Sequence, residues 1–130
     1  MEQNINVLIV EPGKEPRPAA VEDTLEAFQR IVGGPIEVGC YLPQRVMLIC
    51  NGEGKHMGLM PNRENPADSG DFIAGVFLLC GYEGEHFASL SDAQRETFQK
   101  YFALPSEPVR PGREGSGHRK SQVCSWERPL

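Results

Sequence analysis

The stretch VLIVEPGKEPRPAAVEDTLEAFQRIVGGPIEV, residues 7–38, decides the fold. VLIV, together with Ile5, is a short β-branched apolar run ended by Glu11, Pro12 and Gly13, the pattern of a buried strand. KEPRPAA, residues 14–20, is expected to be irregular, because Pro16 and Pro18 interrupt it. A helix is expected from Val21 onward, since Val21, Leu25, Phe28 and Val32 recur on one helical face. Glu22 and Asp23 then lie in the first turn, where the helix dipole favours negative charge. Gly33 and Gly34 supply a left-handed cap and Pro35 prevents continuation. IEVGCYL alternates apolar and polar positions and reads as a half-buried strand.

Working outward, Pro43 and Gln44 turn the chain into RVMLICN, apolar enough for a central strand. Gly52, Glu53 and Gly54 are expected to form a hairpin loop into a strand at KHMGLM. PNRENPADSGD, residues 61–71, carries no periodic pattern and is expected to be a loop. DFIAGVFLLCG reads as one strand whose Gly75 marks a bulge or a close backbone approach. A turn at Tyr82, Glu83 and Gly84 leads to a last short strand near residues 86–90. Ser91 and Gln94 form a capping box for a final helix, with Ala93, Phe98, Tyr101 and Phe102 expected to face inward. The expected class is α+β: a mainly antiparallel sheet of five or six strands with two helices in the order β-α-β-β-β-β-β-α. Both helices are expected on one face.

Composition divides the chain. Residues 1–104 hold 8 Lys/Arg against 15 Asp/Glu and nearly all the large apolar side chains, so they form the expected single domain. Residues 105–130 hold 5 against 3 and are rich in Pro, Gly and Ser, the composition of a flexible basic tail expected to be disordered. Its Trp126 stands as a candidate anchor for a partner. The acidic body argues against direct nucleic-acid binding, which needs a basic patch. It is compatible with simple solubility or with docking a basic partner. Neither a signal peptide nor a membrane-length apolar run is visible, so a cytoplasmic protein without membrane contact is expected. Cys40, Cys50, Cys80 and Cys124 are widely spaced and read as small hydrophobes in a reducing compartment.

No catalytic constellation emerges, and neither a metal nor a cofactor is expected. Gly52, Glu53, Gly54 and Lys55 lack the spacing of a phosphate-binding loop, and His56 stands where Ser or Thr is required. His56, His86 and His118 show no ligand spacing. Asn62 and Arg63 follow an expected strand on a rigid turn, where Arg63 would clamp a carboxylate or phosphate and Asn62 orient it. The alternative is an Asx-turn at Asn62 and a surface ion pair at Arg63. Glu11, at the end of the first strand, is a second candidate.

The segments VLIVEPGKEP, TLEAFQRIVGGPIEV, NGEGK with GLMPNR, and FIAGVFLLCG followed by SLSD resemble an uncharacterised family of small domains common in bacteriophages and conjugative elements. The resemblance covers residues 5–102 in order and excludes the tail. It implies a small accessory protein of a mobile genome. Among the matching positions, Glu11, Gln29, Glu37, Asn62 and Arg63 are polar with no evident fold duty, which marks them as the expected binding residues. The expected function is non-enzymatic: binding a host or phage protein, as a counter-defence factor does, through the acidic surface. The alternative is a small nucleotide-like ligand, bound or processed where Glu11, Glu37, Asn62 and Arg63 converge.

Overall fold

The computed structural model describes residues 3–103, so the expected tail, with Trp126, Cys124 and His118, lies outside the described residues. Its elements are β1 (Asn4–Val10), β2 (Arg17–Glu22), α1 (Leu25–Val32), β3 (Ile36–Leu42), β4 (Val46–Asn51), β5 (Pro61–Asn65), β6 (Asp68–Ala74), β7 (Phe77–Glu83), β8 (His86–Ala88) and α2 (Asp92–Tyr101). Strands β2-β1-β7-β4-β3 lie side by side in one antiparallel sheet, with β8 pairing the far end of β7, while β5 and β6 form a separate hairpin. The expected class, an antiparallel α+β fold with two helices, is what the chain adopts.

Period-two alternation sends successive side chains of the central strands to opposite faces. One core joins Leu8, Val10, Val46, Leu48, Phe77 and Leu79 to Ile73 of the hairpin and to Phe98 and Phe102 at α2. The other joins Val7, Ile9, Met47, Ile49, Leu78 and Cys80 to Ala27 and Phe28 of α1. The two helices therefore cover opposite faces, which corrects the expectation that both lie on one. The β5–β6 hairpin occupies the room beside α2.

Three local expectations are also revised. KEPRPAA is not irregular throughout: from Arg17 it runs as edge strand β2, in register with Leu8 opposite Pro18. An edge strand tolerates proline because a missing N–H can face solvent. The first helix consequently begins later, at Leu25, capped by Thr24 Oγ1 accepting from Ala27 N at 3.1 Å. Val21 belongs to β2, and Leu25 is 54% exposed rather than inward-facing. Finally, the expected strand at KHMGLM is a run of turns, and the expected loop at residues 61–71 supplies β5 and the start of β6.

The capping box of α2 forms as expected: Ser91 Oγ accepts from Gln94 N at 3.1 Å and Gln94 Oε1 accepts from Ser91 N at 2.7 Å. Gly75 is the close approach expected of it, but it breaks the apolar run into β6 and β7. Its φ is +84°, and a Cβ there would lie 2.7 Å from Leu59 Cδ1. At the end of α1, Gly33 alone takes the left-handed conformation, with φ 83°. Gly34 serves differently, leaving room for Asn51, whose Nδ2 would sit 2.8 Å from an added Cβ.

Candidate functional site

A cavity of about 200 Å³ opens where the end of β4 meets the turn after it and the hairpin. Glu37 and Cys50 line it from the sheet, Lys55 and His56 from the turn, and Asn65, Asp71 and Phe72 from the hairpin. Asn51 holds this corner together. Its buried side chain donates from Nδ2 to Val32 O at 3.2 Å and accepts at Oδ1 from Glu53 N at 2.7 Å. One side chain thus closes the end of α1 and fixes the turn that carries Lys55.

On the hairpin wall, Asp71 accepts from Lys55 Nζ and, at 3.2 Å, from Asn65 Nδ2. Burial alone would raise the Asp71 pKa. The hydrogen bonds from Lys55, Asn65 and the Phe72 backbone outweigh it, and the carboxyl is held below its ordinary range. Lys55 Nζ also lies 5.0 Å from the centre of the Phe72 ring, within cation–π range. His56, exposed at the rim, places Nδ1 3.4 Å from Glu53 Oε1. The Glu37 carboxylate has no hydrogen-bond or ion-pair partner among the described residues.

The thiol on the cavity wall is inert. Burial, then the nearby Glu37 and Asp71 charges, pushes Cys50 up to about 11, so it is a neutral thiol at physiological pH. Burial pushes Cys40 and Cys80 up to about 12. All three are free and buried, as expected of small hydrophobes; Cys124 lies outside the described residues. Among the described residues, no group of three or more His, Cys, Asp and Glu side chains is arranged to hold a metal ion. No described helix is long and apolar enough to cross a membrane.

Of the five sequence-derived binding candidates, only Glu37 lines the cavity. Glu11 sits after β1 and pairs with Lys14 at 3.7 Å and Arg17 at 3.8 Å. Gln29 is half-buried on α1, over the opposite face of the sheet, and its carbonyl accepts from Gly33 N at 2.7 Å and Gly34 N at 3.1 Å. Asn62 and Arg63 are neighbours of the Glu11 turn, but each is only 2% exposed. Asn62 Nδ2 donates to Val10 O at 2.9 Å and to Gly75 O at 2.8 Å. Arg63 donates to Phe102 O from Nη2 at 2.8 Å and from Nε at 3.2 Å. It also donates to Lys14 O at 2.6 Å and to Asn62 Oδ1 at 2.7 Å.

Arg63 therefore caps the C-terminal end of α2, whose last carbonyls have no helical donor, and ties it to the β1–β2 turn. Burial lowers its pKa from the ordinary value. Neither the surface clamp nor the surface ion pair expected of Arg63 describes this arrangement: both polar side chains are spent inside the fold.

Lys55, Asn65, Asp71 and Phe72 are the cavity residues that sequence reasoning missed. The missed signal was turn chemistry: Asn65 Oδ1 accepts from Ala67 N at 2.9 Å, an Asx-turn between β5 and β6. Recognising that turn would have brought residues 61–65 back against residues 68–74 and set Asp71 beside Lys55.

Neither the curated proteins nor the solved structures contain a match to the chain. The family described as domain of unknown function DUF3846 matches across residues 5–103, and the chain belongs to that family.

Proposed function

We propose that this chain is a small non-enzymatic accessory protein of a phage or mobile element. It acts by binding a host or phage protein through its acidic surface, as a counter-defence factor. The phage setting rests on the sequence resemblance described above. The binding mode rests on one observation: the folded domain is acidic. Residues 3–103 contain 8 Lys/Arg and 14 Asp/Glu, a balance of −6, and Glu15, Glu83 and Glu85 are among the exposed acids. Such a surface steers a basic partner, with an attraction that salt screens over about 10 Å at 0.1 M.

The test is capture from host lysate by the immobilised full chain, compared with a Glu15→Gln/Glu83→Gln/Glu85→Gln variant. All three positions are exposed, so the fold should be untouched. A defined protein should be retained at low salt, released as salt rises and retained less by the variant. Absence of any retained protein, or equal retention by both, defeats the proposal.

The alternative was a nucleotide-like ligand held jointly by Glu11, Glu37, Asn62 and Arg63. It gains no support from the geometry, because Asn62 and Arg63 turn inward and Glu37 stands at a different site.

A further inference from the structure

We propose that the cavity between β4, its following turn and β6 is a socket for a primary ammonium group on a lysine side chain of the bound protein. This rests on the protein-binding reading above and names the chemistry of one contact within it. Three observations carry it.

The first is charge. Asp71 is already neutralised by Lys55, whereas the Glu37 carboxylate on the facing wall has no partner among the described residues. The cavity therefore holds one uncompensated negative charge. An anion entering it would meet two carboxylates and only one ammonium, and that ammonium is engaged.

The second is the resident cation. Lys55 Nζ rests on the Asp71 carboxylate and 5.0 Å from the Phe72 ring centre. An aromatic face beside a carboxylate is a combination that selects ammonium groups, and here the protein holds one of its own in that environment. A partner lysine would pair with Glu37 and compete with Lys55 for Asp71 and Phe72.

The third is size. About 200 Å³ is less than the roughly 300–1,000 Å³ of sites that engulf drug-sized ligands. It suits an aminobutyl chain. Four or five heavy atoms bind weakly by themselves, so useful affinity requires the surrounding acidic surface to engage the same partner.

The experiment is an NMR titration of the ¹⁵N-labelled full chain with N-acetyl-lysine methylamide, putrescine and inorganic phosphate. The lysine derivative should shift the amides of Glu37, Lys55, Asp71 and Phe72 saturably, with Kd of about 1–20 mM. Glu37→Gln should weaken this binding by about fivefold or more, while Lys55→Met, which vacates Asp71 and Phe72, should strengthen it. Opposite signs from two exposed positions are not what a purely structural role would give.

No shift at cavity residues up to 50-fold excess, no change with Glu37→Gln, or phosphate binding in place of the amine would overturn the socket. Putrescine binding well ahead of the lysine derivative would overturn the protein source and point to a free diamine. A protein captured from lysate equally by wild type and Glu37→Gln would remove the socket but keep the binding function. Saturable lysine binding without any captured protein would remove the binding function and leave an ammonium site.

Discussion

The two faces of the central sheet are covered in different ways. Over one face lies α1, a single helix whose core side chains are apolar, Ala27 and Phe28 clustering with Val7, Ile9, Met47, Ile49 and Leu78. Its end takes one buried side-chain donor, Asn51 Nδ2 to Val32 O. Phe28 also stacks on Phe87, with ring centres 4.8 Å apart. The other face is covered by two separate pieces, the β5–β6 hairpin and α2. Around them the carbonyls of Val10 and Lys14 on the β1 side, of Gly75 between β6 and β7 and of Phe102 after α2 take side-chain donors. Asn62 and Arg63 supply those donors. A cover made of pieces needs polar staples, and where the hairpin meets the turn after β4 it leaves the cavity.

The comparison can be broken most directly by size-changing substitutions on each side. Arg63→Met should destabilise the domain by roughly 3–5 kcal/mol, because it strands the carbonyls of Phe102 and Lys14 and the Asn62 amide oxygen. Phe28→Ala should cost a similar amount, about 3–5 kcal/mol, through lost burial and a cavity. The conservative pair then separates the faces. Phe28→Leu should cost only about 1–1.5 kcal/mol, since apolar packing tolerates a change of shape. Arg63→Lys should still cost about 2–3 kcal/mol, because one ammonium cannot reproduce the fork. Urea unfolding measures all four, and near-equality of the two conservative variants would refute the distinction drawn between the faces.

Asn62→Ala should cost about 2–3 kcal/mol, with Val10 O and Gly75 O losing their side-chain donor. Gly75→Ala comes next, at about 1–2 kcal/mol, for a left-handed residue pressed against Leu59. In a domain of this size each kcal/mol should appear as roughly 4–8 °C in Tm.

The smallest effect is on pH. Asp71 has a lowered pKa in the fold, so its contribution is fully present above the ordinary carboxylate value near ~3.9 and is lost as pH falls through the lowered one. Asp71→Asn should flatten only that acidic part of the stability curve. A change confined to neutral pH would contradict the assignment.

Much of the fold was legible because it depends on local patterns. The alternation of IEVGCYL, the apolar runs of β1, β4 and β7, and the Ser91 capping box each announce themselves within a few residues. The hairpin was not legible, because PNREN carries no apolar alternation and its residues are buried through side-chain hydrogen bonds. The same cause hid the roles of Asn62 and Arg63. On a sequence line, a polar residue that recurs without a packing pattern looks like a binding residue; in three dimensions these two are bound to the protein itself. Of the candidate site, Glu37 was legible, whereas its partners across the cavity depend on a contact between turn and hairpin that no spacing encodes.

Strand β7 pairs with β1 on one side and β4 on the other, and β1 lies near the start of the chain while β7 begins at Phe77. The hairpins β1–β2, β3–β4 and β5–β6 are each local, but the sheet cannot close until the ribosome has delivered β7. At about 5–20 residues per second, the apolar residues of β1 wait several seconds for their neighbour. During that interval the nascent chain exposes a strand edge that other chains can pair with, so crowding and expression rate, more than native-state stability, should govern how much of it reaches the folded state.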